Sequence, residues 1–459
     1  MNTCKITIRP CVEDGLISYL KITYEMDELV RKNGSELCYA DLSTVSIPGA
    51  EPEQVIFTDE AGEIPYSAKD ESPYPYVRRQ YLAERDTKGP GTITYIVRPR
   101  ILPPDAICGP YFDLRSEDGG INMSGLSFLM AMENYKGEMT LDWDLSELPE
   151  GSRGICTWGE GSVTMEAELE KFREAYYAVG EVKSVAEESF GFYWLSPTNF
   201  DVQTLADYTK NLFGIMQKFF RDENPVYRIF VRKDPFTHSG GTALQRSYMF
   251  GWNETEPVSV SSMQNILAHE MVHNWPSLND NPYGISSWYA EGTAEFYSIM
   301  IPLRAGLITK ETALEEIQKR TDAYYTNPTR HMENMEAARI CWQDRRAQRL
   351  PYGRGIFFLA NTDVKIRQAT EGEKGIDDVV LAILEMDRKG EVLSNELFLK
   401  TVKEIAGIDV SEDHRMMCNG EHFAPLSDAF DGYFTAEEKE MPEADTGKTV
   451  VSYQWKLRK

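Results

Sequence analysis

The sequence predicts a multidomain α+β protein, in which a β-sandwich or saddle-like N-terminal part precedes a mainly helical part. Three observations predict it. The chain has 459 residues, more than one ordinary domain holds. Twelve of its 23 prolines fall within residues 1–150, between short segments of alternating polarity. Further on, apolar residues recur at three- and four-residue steps, the period of a helix.

The alternating segments are Lys5–Arg9, Leu16–Tyr24, Thr92–Arg98 and Met139–Trp143. Turn clusters such as PGAEPE, KGPG and EDGG separate them. Period-two runs between Pro/Gly turns read as antiparallel strands, so residues 1–165 form the expected β-rich domain. It carries no chemical motif, and its expected roles are packing and substrate shaping.

Helices are expected over residues 166–435. Val202, Leu205, Tyr208, Leu212, Met216 and Phe219 share one helical face, with Asp201 as N-cap. Pro225–Arg232 reads as a strand and is followed by the turn His238-Ser239-Gly240-Gly241. Ser261-x-x-Gln264 is a capping-box pattern that opens a helix through Trp275. Ser286 or Ser287 caps the next, starting at Trp288. Later helices are expected over 310–325, 355–367, 378–388 and 395–406, with Gly390 and Gly407 at C-cap positions. The acidic end, residues 436–459, reads as a solvated tail.

Charge and cysteine content narrow the function. A net charge of −25 opposes nucleic-acid binding, which needs Lys and Arg to displace counterions from phosphates. It also opposes a basic membrane-surface patch. Seven cysteines without CxxC spacing fit reduced thiols better than a disulfide framework. The N-terminus lacks a signal-like apolar stretch, and no apolar run approaches the length of a membrane span. The expected setting is the cytoplasm. Oligomeric state is not legible.

The chemistry concentrates in His269-Glu270-Met271-Val272-His273, an HExxH motif. Histidines four apart on a helix share a face, separated by about 6 Å of rise, and two imidazoles can converge on one zinc ion. Glu270 projects beside them, placed to take a proton from an attacking water. A catalytic zinc needs a third protein ligand and an open position. Glu291 lies eighteen residues after His273, across the loop-like segment NWPSLNDNPYGISS, where a helix hairpin returns it to the histidines. Glu295 follows one turn later. Metal-ligating histidines usually hand their second N–H to a carboxylate, and Glu295 is the candidate.

HExxH with a glutamate eighteen positions on is the gluzincin arrangement. HEMVHNW, WYAEGTAEFY and RAGLIT further resemble the glycyl aminopeptidase family, as does Pro351-Tyr352-Gly353-Arg354-Gly355, with Arg354 where that family usually has Lys. The resemblance runs over about residues 200–435. It implies a thermolysin-like catalytic domain, one bound zinc ion, a peptide substrate and aminopeptidase action. It also implies that Tyr352 donates its hydroxyl to the oxyanion of the tetrahedral intermediate. The PDZ domain usual in that family is expected to be missing.

One departure concerns substrate binding. Relatives carry a glutamate that grips the free α-amine within Gly-Gly-x-Glu-His or Gly-x-Met-Glu-Asn. This chain reads Gly240-Gly241-Thr242-Ala243-Leu244, with Ala243 in the glutamate's place. Either another acid substitutes or a free N-terminus is not required. Gly240 and Gly241 remain able to offer backbone groups to a substrate strand. Three readings follow: an aminopeptidase, an endopeptidase or peptidase for N-blocked peptides, and a zinc-bearing binding protein that cleaves nothing. His238, beside the Gly-Gly turn, reads as an exposed loop histidine within reach of substrate, and His331, His414 and His422 have no partner at ligand spacing. Trp275, Trp288 and Phe296 are expected to pack the two motif-bearing helices together.

Overall fold

A computed structural model describes all residues except 1, 46, 74, 104, 105, 107, 237–239, 281, 283 and 459. His238 therefore lies outside the described residues. The fold is mixed α/β, with a β-rich N-terminal part followed by helices. Two compact units form, Met1–Tyr208 with Asn224–Ser262, and Thr209–Glu223 with Met263–Lys459.

The first unit contains a seven-stranded sheet made of β1 (Thr3–Glu13), β2 (Leu16–Met26), β3 (Glu53–Asp59), β4 (Gly62–Glu63), β5 (Gly91–Val97), β6 (Lys136–Trp143) and β7 (Val163–Glu168). Their order is β7-β6-β1-β2-β5-β3-β4. All four alternating segments of the sequence fall in adjacent strands of this sheet. The β1–β6 pair is parallel, however, where antiparallel pairing was expected. Alternation sends Ile6, Ile8, Leu20, Ile22, Tyr24, Ile93 and Tyr95 into the core. Each buried phenol finds a backbone acceptor: Tyr24 donates to Met130 O at 2.9 Å and Tyr95 to Phe128 O at 3.0 Å. Residue 165 lies inside β7, so this unit continues past the expected boundary. A four-stranded and a five-stranded sheet also belong to this unit.

A further five-stranded sheet comprises β8 (Lys183–Ala186), β9 (Phe190–Trp194), β10 (Tyr227–Lys233), β11 (Gly241–Leu244) and β12 (Ser247–Trp252), in the order β8-β9-β10-β12-β11. β9, β10 and β12 run parallel. β11 is an antiparallel edge strand, with Ala243 opposite Tyr248.

Helices α1 (Val202–Phe219), α2 (Val260–Val272), α3 (Ser287–Arg304), α4 (Lys310–Tyr325), α5 (Leu350–Ala369), α6 (Ile376–Asp387) and α7 (Asn395–Ala406) follow the expected pattern closely. Asp201 accepts from Thr204 N at 3.1 Å and caps α1. Gly390 and Gly407 adopt positive φ of 75° and 69°, as C-terminal turns require. The cap of α2 differs from expectation. Ser259 and Ser262, rather than Ser261 and Gln264, form the reciprocal pair: Ser262 N donates to Ser259 Oγ at 3.2 Å, and Ser259 N to Ser262 Oγ at 2.9 Å. The helix also stops at Val272, short of Trp275, because Pro276 disfavours helical geometry at the residue before it.

The acidic C-terminus departs most from expectation. It is no solvated tail but an antiparallel hairpin, β13 (Phe434–Pro442) and β14 (Thr449–Leu457). Glu437, Glu438 and Glu440 are exposed, while Tyr453 and Trp455 are buried. Trp455 Nε1 donates to Thr321 Oγ1 on α4 at 2.8 Å. The net-charge pattern concealed two alternating strands with aromatic residues on one face.

All seven cysteines are free. Among the described residues no helix is long and apolar enough to cross a membrane.

Candidate metal centre

The second unit carries the HExxH residues. His269 lies in the last turn of α2 and His273 just beyond it, in a turn closed by Asn274 N to Met271 O at 3.2 Å. Trp275 anchors this exit. Its ring stacks on Phe220 at 4.6 Å, and its Nε1 donates to Asp222 Oδ2 at 2.6 Å. Trp288 packs instead on Phe358 and Phe398, and Phe296 on Phe430. Phe220 also packs on Tyr297 of α3, so Trp275 is linked to that helix through it. Ser286 and Ser287 donate to Leu278 O and Gly284 O, shaping the loop before α3 rather than capping it.

Glu291, in the first turns of α3, meets both histidines. His269 Nε2 stands 3.3 Å from His273 Nε2 and 3.3 Å from Glu291 Oε2, and His273 Nε2 is 3.7 Å from the same oxygen. Ligands about 2.0–2.1 Å from a tetrahedral zinc stand roughly 3.3–3.4 Å apart, so the triangle fits such an ion. Glu291 Oε2 is buried and receives no well-formed hydrogen bond. An orphaned buried acceptor facing two imidazole nitrogens is chemically what a cation would satisfy.

The surrounding charges have a definite order. Burial opposes the His269 cation, but Glu295, Glu291 and Glu270 outweigh it and raise its pKa to about 10. Burial, with His269 adding to it, lowers His273 to about 4 against the pull of Glu291. Burial works against ionised Glu295 too, yet Arg320 and His269 hold its pKa at about 2. Glu291 is lowered as well, its burial being overcome by the two histidines. Without metal, these acids favour the protonated form of His269, and a divalent ion would displace that proton. His269 Nδ1 lies 3.3 Å from Glu295 Oε1, which turns its Nε2 toward Glu291.

Tyr352 arrives on the first turn of α5. Its ring is parallel to that of His269. Burial and the nearby charges of Glu291, Glu270 and Glu295 raise its pKa well above the usual phenol range, so its hydroxyl stays a donor. The charge of Glu270 bears on both His269 and Tyr352.

Two glycines make this meeting possible. A Cβ on Gly292, next to Glu291, would collide with the Gly355 backbone, and one on Gly355 would collide with Trp288 O and Gly292. Helices α3 and α5 therefore touch backbone to backbone, bringing the turn of Tyr352 beside the turn of Glu291. Arg354 points the other way. Its buried guanidinium donates to Asn334 Oδ1 at 2.6 Å, to Arg330 O at 3.0 Å and to Met332 O, fixing the 330–334 loop.

Gly240 and Gly241 belong to the first unit. Gly240 O already accepts from Gly251 N at 3.1 Å within the sheet. By antiparallel alternation, Gly241 and Ala243 turn their N–H and C=O groups to the open edge of β11. His331, His414 and His422 are engaged elsewhere, with Gly420 O, with Cys418 Sγ and Trp288, and with Tyr453 OH respectively.

Sequence reasoning missed Arg320, Asn265 and the Gly292–Gly355 contact. The small residue after Glu291 was the one available signal for the last. Nothing in the chain marked Arg320.

Residues 262–349 match the family described as M61 glycyl aminopeptidase. No curated protein sequence matches significantly. Among solved structures, an aminopeptidase N family protein from Idiomarina loihiensis superposes with a TM-score of 0.73 at 12% identity, covering 98% of this chain and 81% of that one. An M1 zinc metallopeptidase from Deinococcus radiodurans, bound to a Tyr-Ser-Ala substrate, gives 0.56 at 13%, covering 93% and 94%. Leukotriene A4 hydrolase from Saccharomyces cerevisiae gives 0.58 at 14%, covering 92% and 68%. At such identities the likeness is one of fold. The motif and the converging side chains thus lie where residues 262–349 are similar to the M61 glycyl aminopeptidases, in a chain whose fold is similar to those of zinc aminopeptidases.

Proposed function

We propose that this protein hydrolyses peptide bonds with one zinc ion held by His269, His273 and Glu291, in the manner of a glycyl-type aminopeptidase. The observation that carries the reading is the triangle of ligand atoms, with sides of 3.3, 3.3 and 3.7 Å. The ion would supply Lewis acidity toward the scissile carbonyl and acidify a bound water. Glu270 accepts the proton of the attacking water and passes it to the leaving amine. Tyr352, kept protonated by its surroundings, donates to the developing oxyanion. Glu295 fixes His269 as an Nδ1–H tautomer, leaving the Nε2 lone pair for the ion.

A second reading has its own support. Ala243 stands on the edge strand where relatives have the amine-gripping glutamate, which favours an endopeptidase or a peptidase for N-blocked substrates. Gly241 and Ala243 still offer backbone groups to an extended peptide in either case. The acidic charge balance supports a peptide rather than a nucleic-acid partner, and seven free thiols support a cytoplasmic setting.

Metal analysis of the purified protein, combined with cleavage-site profiling on a mixed peptide library, tests both readings. Stoichiometric zinc with release of N-terminal residues is expected for the aminopeptidase. Internal cleavage would favour the second reading. Zinc without any cleavage would support a binding protein instead.

A further inference from the structure

Outside the ligands themselves, the most heavily connected side chain near the centre is Arg320, on α4. Its Nε donates to Glu295 Oε2. Its Nη2 donates to Asn265 Oδ1 at 2.9 Å, and its Nη1 to Glu316 Oε2 at 2.8 Å and Glu316 O at 3.0 Å. Asn265 lies one turn before His269 on α2, and Glu295 one turn after Glu291 on α3. One guanidinium thus joins both ligand-bearing helices to a third.

We propose that Arg320 is a positioning residue for the metal centre, clamping Glu295 so that His269 is oriented before the ion arrives. The inference rests on the zinc reading given above. Its physical basis is the division of labour on one carboxylate. Arg320 engages Oε2 of Glu295, which leaves Oε1 for His269 Nδ1 at 3.3 Å. An ionised carboxylate only accepts, so Nδ1 keeps its proton for Glu295 and Nε2 is the nitrogen turned toward Glu291 and His273, where the ion would replace its proton. Without the clamp, Glu295 can rotate about its side chain and the imidazole loses its fixed orientation. The planar fork of arginine suits this task. Lysine carries a comparable charge but cannot hold Glu295, Asn265 and Glu316 in fixed directions at once.

The test compares the wild-type protein with Arg320→Met and Arg320→Lys. Zinc affinity is read by competition with a chromophoric chelator, and the ligand field by the visible absorption of the cobalt(II)-substituted protein. Zinc binding is expected to weaken roughly 10- to 100-fold in Arg320→Met, as for other partners of metal-bound histidines, and to a smaller extent in Arg320→Lys, with shifted cobalt bands in both. Circular dichroism of the metal-free proteins establishes folding. If Arg320→Met does not fold, Arg320→Lys decides by the same two readouts. A folded variant with wild-type zinc affinity and an unchanged cobalt spectrum overturns the clamp while leaving the zinc reading intact. A wild-type protein that binds neither ion overturns the zinc reading, and this inference with it.

Discussion

The rings of His269 and Tyr352 lie parallel, with centroids 5.6 Å apart and 5° between their planes. The tyrosine ring thus packs against a candidate metal ligand. The guanidinium of Arg349 sits 4.9 Å from the centre of the same phenol ring. Tyr352→Phe retains the stacking and removes the donor. Turnover is expected to fall by about 3 kcal/mol of transition-state stabilisation, roughly 10²-fold, with zinc content unchanged. Steady-state kinetics and metal analysis of one preparation check this.

Glu270→Gln keeps the shape of the side chain and removes its basicity. The variant is expected to bind zinc as the wild type does and to lose roughly 10²–10⁴-fold in kcat. Wild-type turnover in a zinc-loaded Glu270→Gln protein would remove Glu270 from the mechanism.

The metal-free protein is expected to be most stable near pH 6.5. His269, raised from 6.5 to about 10, contributes stability that is fully present below 6.5 and is lost as pH rises toward 10. His273, lowered to about 4, contributes stability that is lost as pH falls from 6.5 toward 4. Glu295, lowered from 4.5 to about 2, adds a further loss below 4.5. Zinc displaces the proton from His269, so saturating metal should remove the alkaline decline. Thermal unfolding from pH 2 to 10, with and without zinc, reads all of these windows. An alkaline limb that zinc leaves unchanged would contradict the assignment of His269 as a ligand.

Gly355→Ala places a methyl group against Trp288 O and the Gly292 backbone. Overpacking of this kind destabilises by about 1–3 kcal/mol, and α5 must move away from α3. Activity is expected to fall further than stability alone accounts for, because Tyr352 moves with α5. Chemical denaturation and kcat measured on the same samples separate the two effects.

Trp455→Ala tests whether the C-terminal hairpin is an integral part of the second unit. The ring is buried, donates to Thr321 and packs on Phe430 at 5.3 Å. A loss of about 3–5 kcal/mol is expected, whereas a solvated tail would tolerate the change.

Much of this protein was legible because local geometry determines it. A helix places residues four apart on one face whatever surrounds it, so His269 and His273 were readable as a pair. A strand alternates its faces, so the four N-terminal segments were readable as strands. Asp201, Gly390 and Gly407 declared helix ends through their own backbone chemistry. The sequence by itself therefore determined the types of many elements, though not the C-terminal hairpin, with most helix limits and the residues that could hold an ion. The tertiary structure decided which distant groups meet them. Arg320 reaches Glu295 across 25 positions, Tyr352 reaches His269 across 83, and Trp455 reaches Thr321 across 134. No periodicity links such positions, because their contacts depend on how closely whole helices approach. That approach is set by packing, as at Gly292 and Gly355, and not by any local pattern in the chain.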